Sequence, residues 1–126
     1  MITRETPQRV SILSPYAPSI VSFRGPLIRE MVRCGVEVYV LAPDYTPEIR
    51  EAVAQLGALP VDYPLDRTGT NPARDLYTVY RLASLLRSLR PDGVMAYNIK
   101  PVIYGTIAAS LVGIPQRIAL IEGLGY

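Results

Sequence analysis

Short apolar runs alternate with longer segments of helical periodicity along most of the chain. Apolar runs of four to eight residues predict buried strands, and apolar residues spaced three and four apart predict helices that bury one face. Most of the helical segments have proline near the start and glycine at the end, the positions that each residue favours. The pattern predicts strands at 9–14, 36–43, 58–65, 92–98 and 116–123 and helices at 22–35, 46–57, 74–91 and 100–113.

Two of the predicted helices have faces that indicate how they pack. In the third helix, "RDLYTVYRLASLLRSLRP", the periodicity predicts one inward and one outward face. The inward residues are Leu76, Val79, Tyr80, Ala83 and Leu86, and the outward residues are Arg81, Ser84, Arg87 and Ser88. In the fourth helix, Gly105, Ala108 and Ala109 form a small-residue face that is expected to lie close against a sheet.

The regular alternation of strand and helix predicts an α/β fold. It favours a Rossmann-like parallel sheet with helices on both faces. Right-handed crossovers then make 3-2-1-4-5 the expected strand order. The length of 126 residues fits a single domain that spans residues 1–126.

Composition excludes several classes of chemistry. The chain has no histidine and a single cysteine, which rules out Ser-His-Asp and Cys-His systems, an internal disulfide and a cysteine-based zinc site, so no metal is expected. A net charge of +2 gives no electrostatic argument for a nucleic-acid partner.

The sequence also bears on the location of the protein. The N-terminus has no apolar signal region. The weakly polar stretch 102–114 is shorter than a membrane-spanning helix, which needs about 20 residues. A cytoplasmic location is therefore expected.

The candidate ligand site follows from the predicted topology. Ligands of open parallel sheets bind beyond the carboxyl ends of the strands, where the winding reverses, and here the loops after strands one and four meet at that switch point. These loops carry Tyr16, Ser19, Arg24, Tyr97, Asn98 and Lys100. The closing segment "EGLGY", with Glu122 and Gly123, is expected to form the adjoining wall.

The charges at this predicted site suit an anion. Lys100 precedes the fourth helix and Arg24 begins the first, and the free N–H groups and dipole of a helix start favour a phosphate or carboxylate. Both cations are equally compatible with ordinary solvated surface positions, and Asn98 with simply closing a turn, so these alternatives stay open.

Two familiar cofactor sites are excluded by the first loop. A nicotinamide site requires G-x-G-x-x-G after the first strand, whereas "PYAPSIVSFRG" has only Gly25, although Asp44 stands where a ribose-binding acid is found. A flavodoxin-like regulatory or flavin-binding domain requires an acidic cluster or a Ser/Thr-rich phosphate loop in the same place. Neither is present, and no P-loop occurs elsewhere.

Four segments together resemble the N-terminal half of bacterial family 4 glycosyltransferases, and in particular the branch that builds capsule, exopolysaccharide or lipid-linked oligosaccharide. They are "SFRGPLIREMVRCGVEVYVLAPDY", "DRTGTNPARDL", "LRPDGVMAYNIKPVIYGTIAASLVGIP" and "RIALIEGLGY". The resemblance implies the N-terminal half of a GT-B fold, in which two Rossmann-like domains face each other across a cleft. In that family the N-terminal domain receives the acceptor and the C-terminal domain holds the nucleotide sugar. The chain is then expected to be a truncated acceptor-side domain, inactive without its donor domain.

The resemblance also implies roles for particular residues. Phe23, Arg24 and Gly25 are expected to line the cleft near the acceptor or donor phosphate, and Asn98 and Lys100 fill the position after strand four. Relatives often carry threonine where Glu122 stands, which argues against a catalytic Glu122 and leaves the catalytic residues unknown. The family implies hexosyl or N-acetylhexosaminyl transfer from a nucleotide sugar, expected to be a UDP-sugar, with no tightly bound cofactor.

The expected partners follow from the same resemblance. They are a C-terminal donor-binding domain or a separate donor-binding subunit, and a lipid-linked or saccharide acceptor. A surface meant for absent elements predicts a homodimer through the edge of strand five or through the turn that follows it. Peripheral contact with the inner face of the plasma membrane is a further expectation. The alternative is a non-catalytic docking subunit of a split two-chain glycosyltransferase.

Overall fold

A computed structural model of the protein describes residues 8–65 and 71–120. Within these residues the chain forms five strands, four α-helices and one π-helical turn. The strands are β1 (Arg9–Leu13), β2 (Glu37–Ala42), β3 (Leu59–Asp62), β4 (Gly93–Tyr97) and β5 (Gln116–Leu120). The helices are α1 (Gly25–Arg33), α2 (Pro47–Gln55), α3 (Pro72–Leu89) and α4 (Ile99–Leu111), and the π-helical turn, Ile20–Arg24, leads directly into α1.

The strands form one parallel sheet in the order β3-β2-β1-β4-β5. This confirms the predicted fold class and strand order. β1 lies at the centre, with Ser11 opposite Tyr39 of β2 on one side and Val94 of β4 on the other. The carboxyl ends of β1 and β4 are therefore adjacent, and the loops that follow them leave the sheet side by side.

Alternating residues of β1 point to opposite faces of the sheet and enter two separate cores. Ile12 belongs to a core with Ile28 of α1 and Val53 of α2. Leu13 belongs to a second core with Leu82 of α3 and Ala108 of α4. The helices thus cover both faces of the sheet, as the sequence predicts.

The close approach of α4 to the sheet depends on its small residues. Ala108 and Ala109 are fully buried, and a Cβ atom added to Gly105 would lie 2.8 Å from Cδ2 of Leu13. A contact this short has no room for a larger side chain. The expected small-residue face of the fourth helix is confirmed.

The predicted inward face of α3 is wrong for two of its residues. Leu76 is 72% exposed and Tyr80 is 69% exposed, whereas the buried row of the helix is Thr78, Leu82 and Leu86. Thr78 fits among apolar neighbours because its hydroxyl donates to the carbonyl of Arg74 at 3.0 Å within the helix.

The start of α4 also differs from the prediction. The helix begins at Ile99 and not at Pro101, so Lys100 lies inside the first turn and does not precede it. Asn98 is the flanking residue, with a positive φ of 73° that changes the direction of the chain as it leaves β4. Pro101 is tolerated two residues further on because no N–H in the first turn of a helix has an intrahelical partner.

Candidate functional site

Ser14 is the centre of a hydrogen-bond network where β1 ends. The residue is fully buried, and its Oγ accepts the O–H of Tyr97 at 2.8 Å and the N–H of Tyr16 at 3.2 Å. The same hydroxyl donates to the carbonyl of Tyr16 at 3.1 Å. The carbonyl of Ser14 accepts the O–H of Tyr63 at 2.9 Å. Ser14 thereby joins the ends of β1 and β4 to the segment after β3, a role that the sequence analysis missed. The sequence feature that could have indicated this role is a serine directly after a buried strand.

Tyr97 brings the end of β4 into this network. It is the last residue of β4, is only 3% exposed, and packs with Ile12 and Ile20 on the α1 side of the sheet. Its hydroxyl oxygen lies 3.3 Å from Oγ of Ser19, which itself donates to the carbonyl of Tyr16 at 2.7 Å. The loops after β1 and β4 are therefore locked together by hydroxyl groups.

Arg24 lies on the face of the Tyr97 ring. Its guanidinium carbon is 4.5 Å from the ring centroid, and the residue is partly buried. This separation is within the range of a cation–π contact. Arg24 is the last residue of the π-helical turn, and such turns occur frequently at functional sites. The structure thus brings together three of the candidate residues: Ser19, Arg24 and Tyr97.

Two further candidate residues adjoin this group along the helix. Phe23 is 74% exposed, so its ring contributes to the surface and not to the core. Gly25 is buried at the start of α1, and an added Cβ would meet no atom within 4 Å. Open space therefore remains beside Gly25.

The remaining candidate residues are close in sequence to members of this group. Tyr16 is 43% exposed and enters the network through its backbone, Asn98 is exposed, and Lys100 is partly buried in the first turn of α4. A shared anion site of Arg24 and Lys100 stays a prediction. Glu122 and Gly123 lie outside the described residues.

Asp44 fixes the loop after β1 from the opposite side. Its Oδ1 accepts the N–H of Ala17 at 2.7 Å, which ties the loop after β2 to the loop after β1. The next residue, Tyr45, donates its O–H to the carbonyl of Val40 at 2.7 Å, and burial raises the pKa of this phenol. Burial likewise raises the pKa of Tyr63. Asp44 and Tyr63 therefore connect the segments around the site, whereas the Tyr45 hydroxyl bonds back to β2.

The described residues contain neither a cluster typical of metal sites nor a helix typical of membrane spans. No three His, Cys, Asp or Glu side chains gather there in a way that suits a metal ion. In the same part of the chain, no helix has both the length and the apolar character needed to cross a membrane. The Ser14–Tyr97–Ser19 network with Arg24 is the polar group at the switch point, and its binding of an anion stays a prediction.

Comparisons with known proteins agree with the family that the sequence motifs indicated. The model of Glycosyltransferase Family 4 matches residues 26–121. A curated relative from Campylobacter jejuni, an N,N'-diacetylbacillosaminyl-diphospho-undecaprenol alpha-1,3-N-acetylgalactosaminyltransferase, is 34% identical over 119 residues. That match covers 93% of this chain and 31% of the relative, so the chain spans about a third of the relative's length.

Solved structures share the fold across more than one enzyme class. MurG of Acinetobacter baumannii matches with a TM-score of 0.68 at 18% identity, covering 91% of this chain and 34% of MurG. The A40926 pseudoaglycone deacetylase Dbv21 matches with the same TM-score and identity, covering 88% of this chain and 62% of Dbv21. At such low identity these matches establish the fold alone, and the sequence family defines the class. The chain belongs to glycosyltransferase family 4, and it corresponds to the Rossmann-like N-terminal domain of such an enzyme.

Proposed function

We propose that this chain is the acceptor-side domain of a sugar-nucleotide-dependent glycosyltransferase that extends a lipid-linked glycan or polysaccharide. Family membership supports the reaction class, and the name of the Campylobacter relative describes N-acetylgalactosaminyl transfer to a saccharide on undecaprenol diphosphate. A hexosyl or N-acetylhexosaminyl group is transferred, and a UDP-sugar is the donor. Tight donor binding belongs to a second domain or subunit, so residues 1–126 form a single domain that transfers no sugar alone.

The observation that carries this proposal is the placement of Arg24 on Tyr97 at the switch point. The substrates of such a reaction carry diphosphate groups, and a guanidinium offers several N–H donors in a fixed plane that match phosphate oxygens. Lys100 lies in the first turn of α4, where the helix dipole also favours negative charge. Developing charge on a departing diphosphate is stabilised by donors of this kind without a protein nucleophile.

The exposed faces of α3 and α4 support peripheral contact with a membrane. Leu76, Tyr77 and Tyr80 of α3 are 72%, 54% and 69% exposed, and Leu111 of α4 is 66% exposed. An open groove between the two helices is lined by Leu76, Val79, Tyr80, Ala83, Ser84, Arg87, Leu111 and Val112. A large apolar patch on a protein surface marks an interaction site, and nearby arginines favour an anionic one. We propose that this surface meets the inner face of the plasma membrane, where a lipid-linked acceptor resides.

The decisive experiment measures sugar transfer by the complete gene product. It is incubated with UDP-N-acetylgalactosamine or UDP-N-acetylglucosamine and a polyprenyl-diphosphate-linked saccharide, and radiolabel is followed into the lipid extract. We expect transfer, and we expect Arg24→Ala to lower turnover by at least about tenfold, equivalent to about 1.4 kcal/mol. Arg29→Ala is the matched control, because Arg29 is exposed on α1.

Three outcomes would contradict parts of the proposal. Normal turnover in Arg24→Ala would make Arg24 an ordinary surface cation. Tight, saturable binding of a UDP-sugar to residues 1–126 alone would reverse the assignment of acceptor and donor roles. Transfer that appears only when a separate donor-binding protein is added would favour the alternative, a docking subunit of a two-chain enzyme.

A further inference from the structure

The hydroxyl of Tyr97 anchors the far end of a ring that is almost fully buried. Tyr97 is 3% exposed, and its O–H donates to Oγ of Ser14 at 2.8 Å. Ser14 is fully engaged, since the same Oγ also accepts one bond from Tyr16 and donates another. The ring is therefore fixed at both ends, by its backbone in β4 and by its hydroxyl on Ser14.

The contact between the hydroxyl groups of Ser19 and Tyr97 is secondary to their other hydrogen bonds. Tyr97 and Ser19 have one hydroxyl proton each. The shorter bonds use both protons, from Tyr97 to Ser14 at 2.8 Å and from Ser19 to the carbonyl of Tyr16 at 2.7 Å. The 3.3 Å approach of Ser19 to Tyr97 then confines the ring edge without being needed for its hydrogen bonding.

Stacking on this ring restricts the side chain of Arg24. The guanidinium carbon lies 4.5 Å from the ring centroid, so the cation meets the face of the ring. The N–H groups of a guanidinium point outward in its own plane. Stacking therefore removes most of the rotamer freedom of Arg24 before a ligand arrives, and a phosphate would approach in the plane of the guanidinium.

We propose that Tyr97 is the positioning residue for Arg24, and that its anchored ring holds the guanidinium ready for a diphosphate group. This inference rests on the proposed function, because the diphosphate belongs to either the nucleotide sugar or the lipid-linked acceptor. In this proposal Tyr97, which is almost fully buried, does not contact the substrate itself. Tyr97 affects the affinity for the ligand by holding Arg24 in place. The effects of substituting the two residues should therefore be coupled.

A double-mutant cycle on the chain tests this coupling. Binding of inorganic pyrophosphate is measured at low ionic strength for wild type, Tyr97→Leu, Arg24→Ala and the double variant. We expect Tyr97→Leu to weaken binding about five- to tenfold, the range of one lost stacking contact, and to have little further effect once Arg24 is absent. Tyr97→Phe keeps the ring and should stay within about twofold of wild type.

The chain supplies a matched control for the loss of a tyrosine ring that lies beneath an arginine. The guanidinium carbon of Arg50 lies 5.0 Å from the ring centroid of Tyr45, and the Tyr45 hydroxyl is also hydrogen-bonded. Tyr45→Leu should lower the melting temperature as Tyr97→Leu does, but it should leave pyrophosphate affinity unchanged.

A second measurement needs no variant. Stacking places the Arg24 side chain in the ring current of Tyr97, so its Nε–Hε NMR signal should lie upfield of that of the exposed Arg29. Absence of this shift in the wild-type chain would overturn the proposal even if Tyr97→Leu failed to fold.

Additive effects in the double-mutant cycle, or unchanged pyrophosphate affinity in Tyr97→Leu, would also overturn the proposal. No pyrophosphate binding by wild type would instead contradict the proposed function. Competition by UDP or by farnesyl diphosphate distinguishes the donor's diphosphate from the acceptor's.

Discussion

Alanine at Gly105 should destabilise the protein through one close contact with the central strand. Gly105 lies within α4, where alanine gains about 0.5–1 kcal/mol over glycine from reduced chain entropy in the unfolded state. The added Cβ, however, would meet Leu13 Cδ2 at 2.8 Å. The net change in stability is the balance of these two effects.

The size of the clash sets the expected difference. The 2.8 Å separation at Gly105 is about 1 Å shorter than the favourable carbon–carbon separation of about 3.5–4.0 Å. Leu13 is fully buried, so its methyl group has little room, and relief requires α4 to move from the sheet. Overpacking of this kind costs about 1–3 kcal/mol. Gly105→Ala should therefore be less stable than wild type by up to about 2.5 kcal/mol, the largest overpacking cost less the smallest helical gain.

Urea unfolding followed by circular dichroism measures this difference. Gly105→Ala should unfold at a lower midpoint than wild type with a similar slope, since the slope reports the surface exposed on unfolding. Leu13→Val removes the offending methyl, so Gly105→Ala should cost less in that background than in wild type. A midpoint above that of wild type, or full additivity with Leu13→Val, would refute the close approach of α4 to β1.

Three other outcomes are expected. Burial raises the pKa of Tyr63, so its neutral form is the one that folding favours. Its contribution is complete below about pH 10 and falls by about 1.4 kcal/mol per pH unit above it. Tyr63→Phe should therefore flatten the loss of stability measured by denaturation between about pH 9 and 11. The pair Leu76→Ser and Tyr80→Ser should reduce co-sedimentation with anionic vesicles at low salt, whereas Leu59→Ser, at another exposed apolar residue, should not. Equal losses would contradict a membrane role for α3. Light scattering should show concentration-dependent dimerisation through the β5 edge, and a monomer at high concentration would contradict that prediction.

Backbone constraints made the order of elements predictable. Proline and glycine act on the chain locally, as at Pro47, where Thr46 caps α2 by accepting the N–H of Ile49 at 3.2 Å. The face of α3 was less predictable, because Leu76 and Tyr80 satisfy the same spacing rule as a buried row. Which row meets the sheet depends on tertiary packing, and that information is absent from a local pattern.

The candidate site was predictable only as a location. Strand order places the loops after β1 and β4 together, and this sufficed to bring Ser19, Arg24 and Tyr97 to one place. The central position of Ser14 was not predictable, because it depends on side-chain rotamers and on a tyrosine from the far side of β2. A serine at the end of a strand looks the same in sequence whether or not it organises its neighbours.

The π-helical turn makes the spacing between Ser19 and Arg24 intolerant of deletion. Each residue of an α-helix corresponds to a rotation of about 100° around its axis, and a π turn holds more residues per turn than an α turn. Losing one codon between Ile20 and Arg24 would restore regular α-helical winding and rotate Ser19 away from Tyr97 while Arg24 stayed in place. Most surface loops absorb such changes in length. This segment is helical throughout, so a single-residue deletion here would alter the register of the site itself.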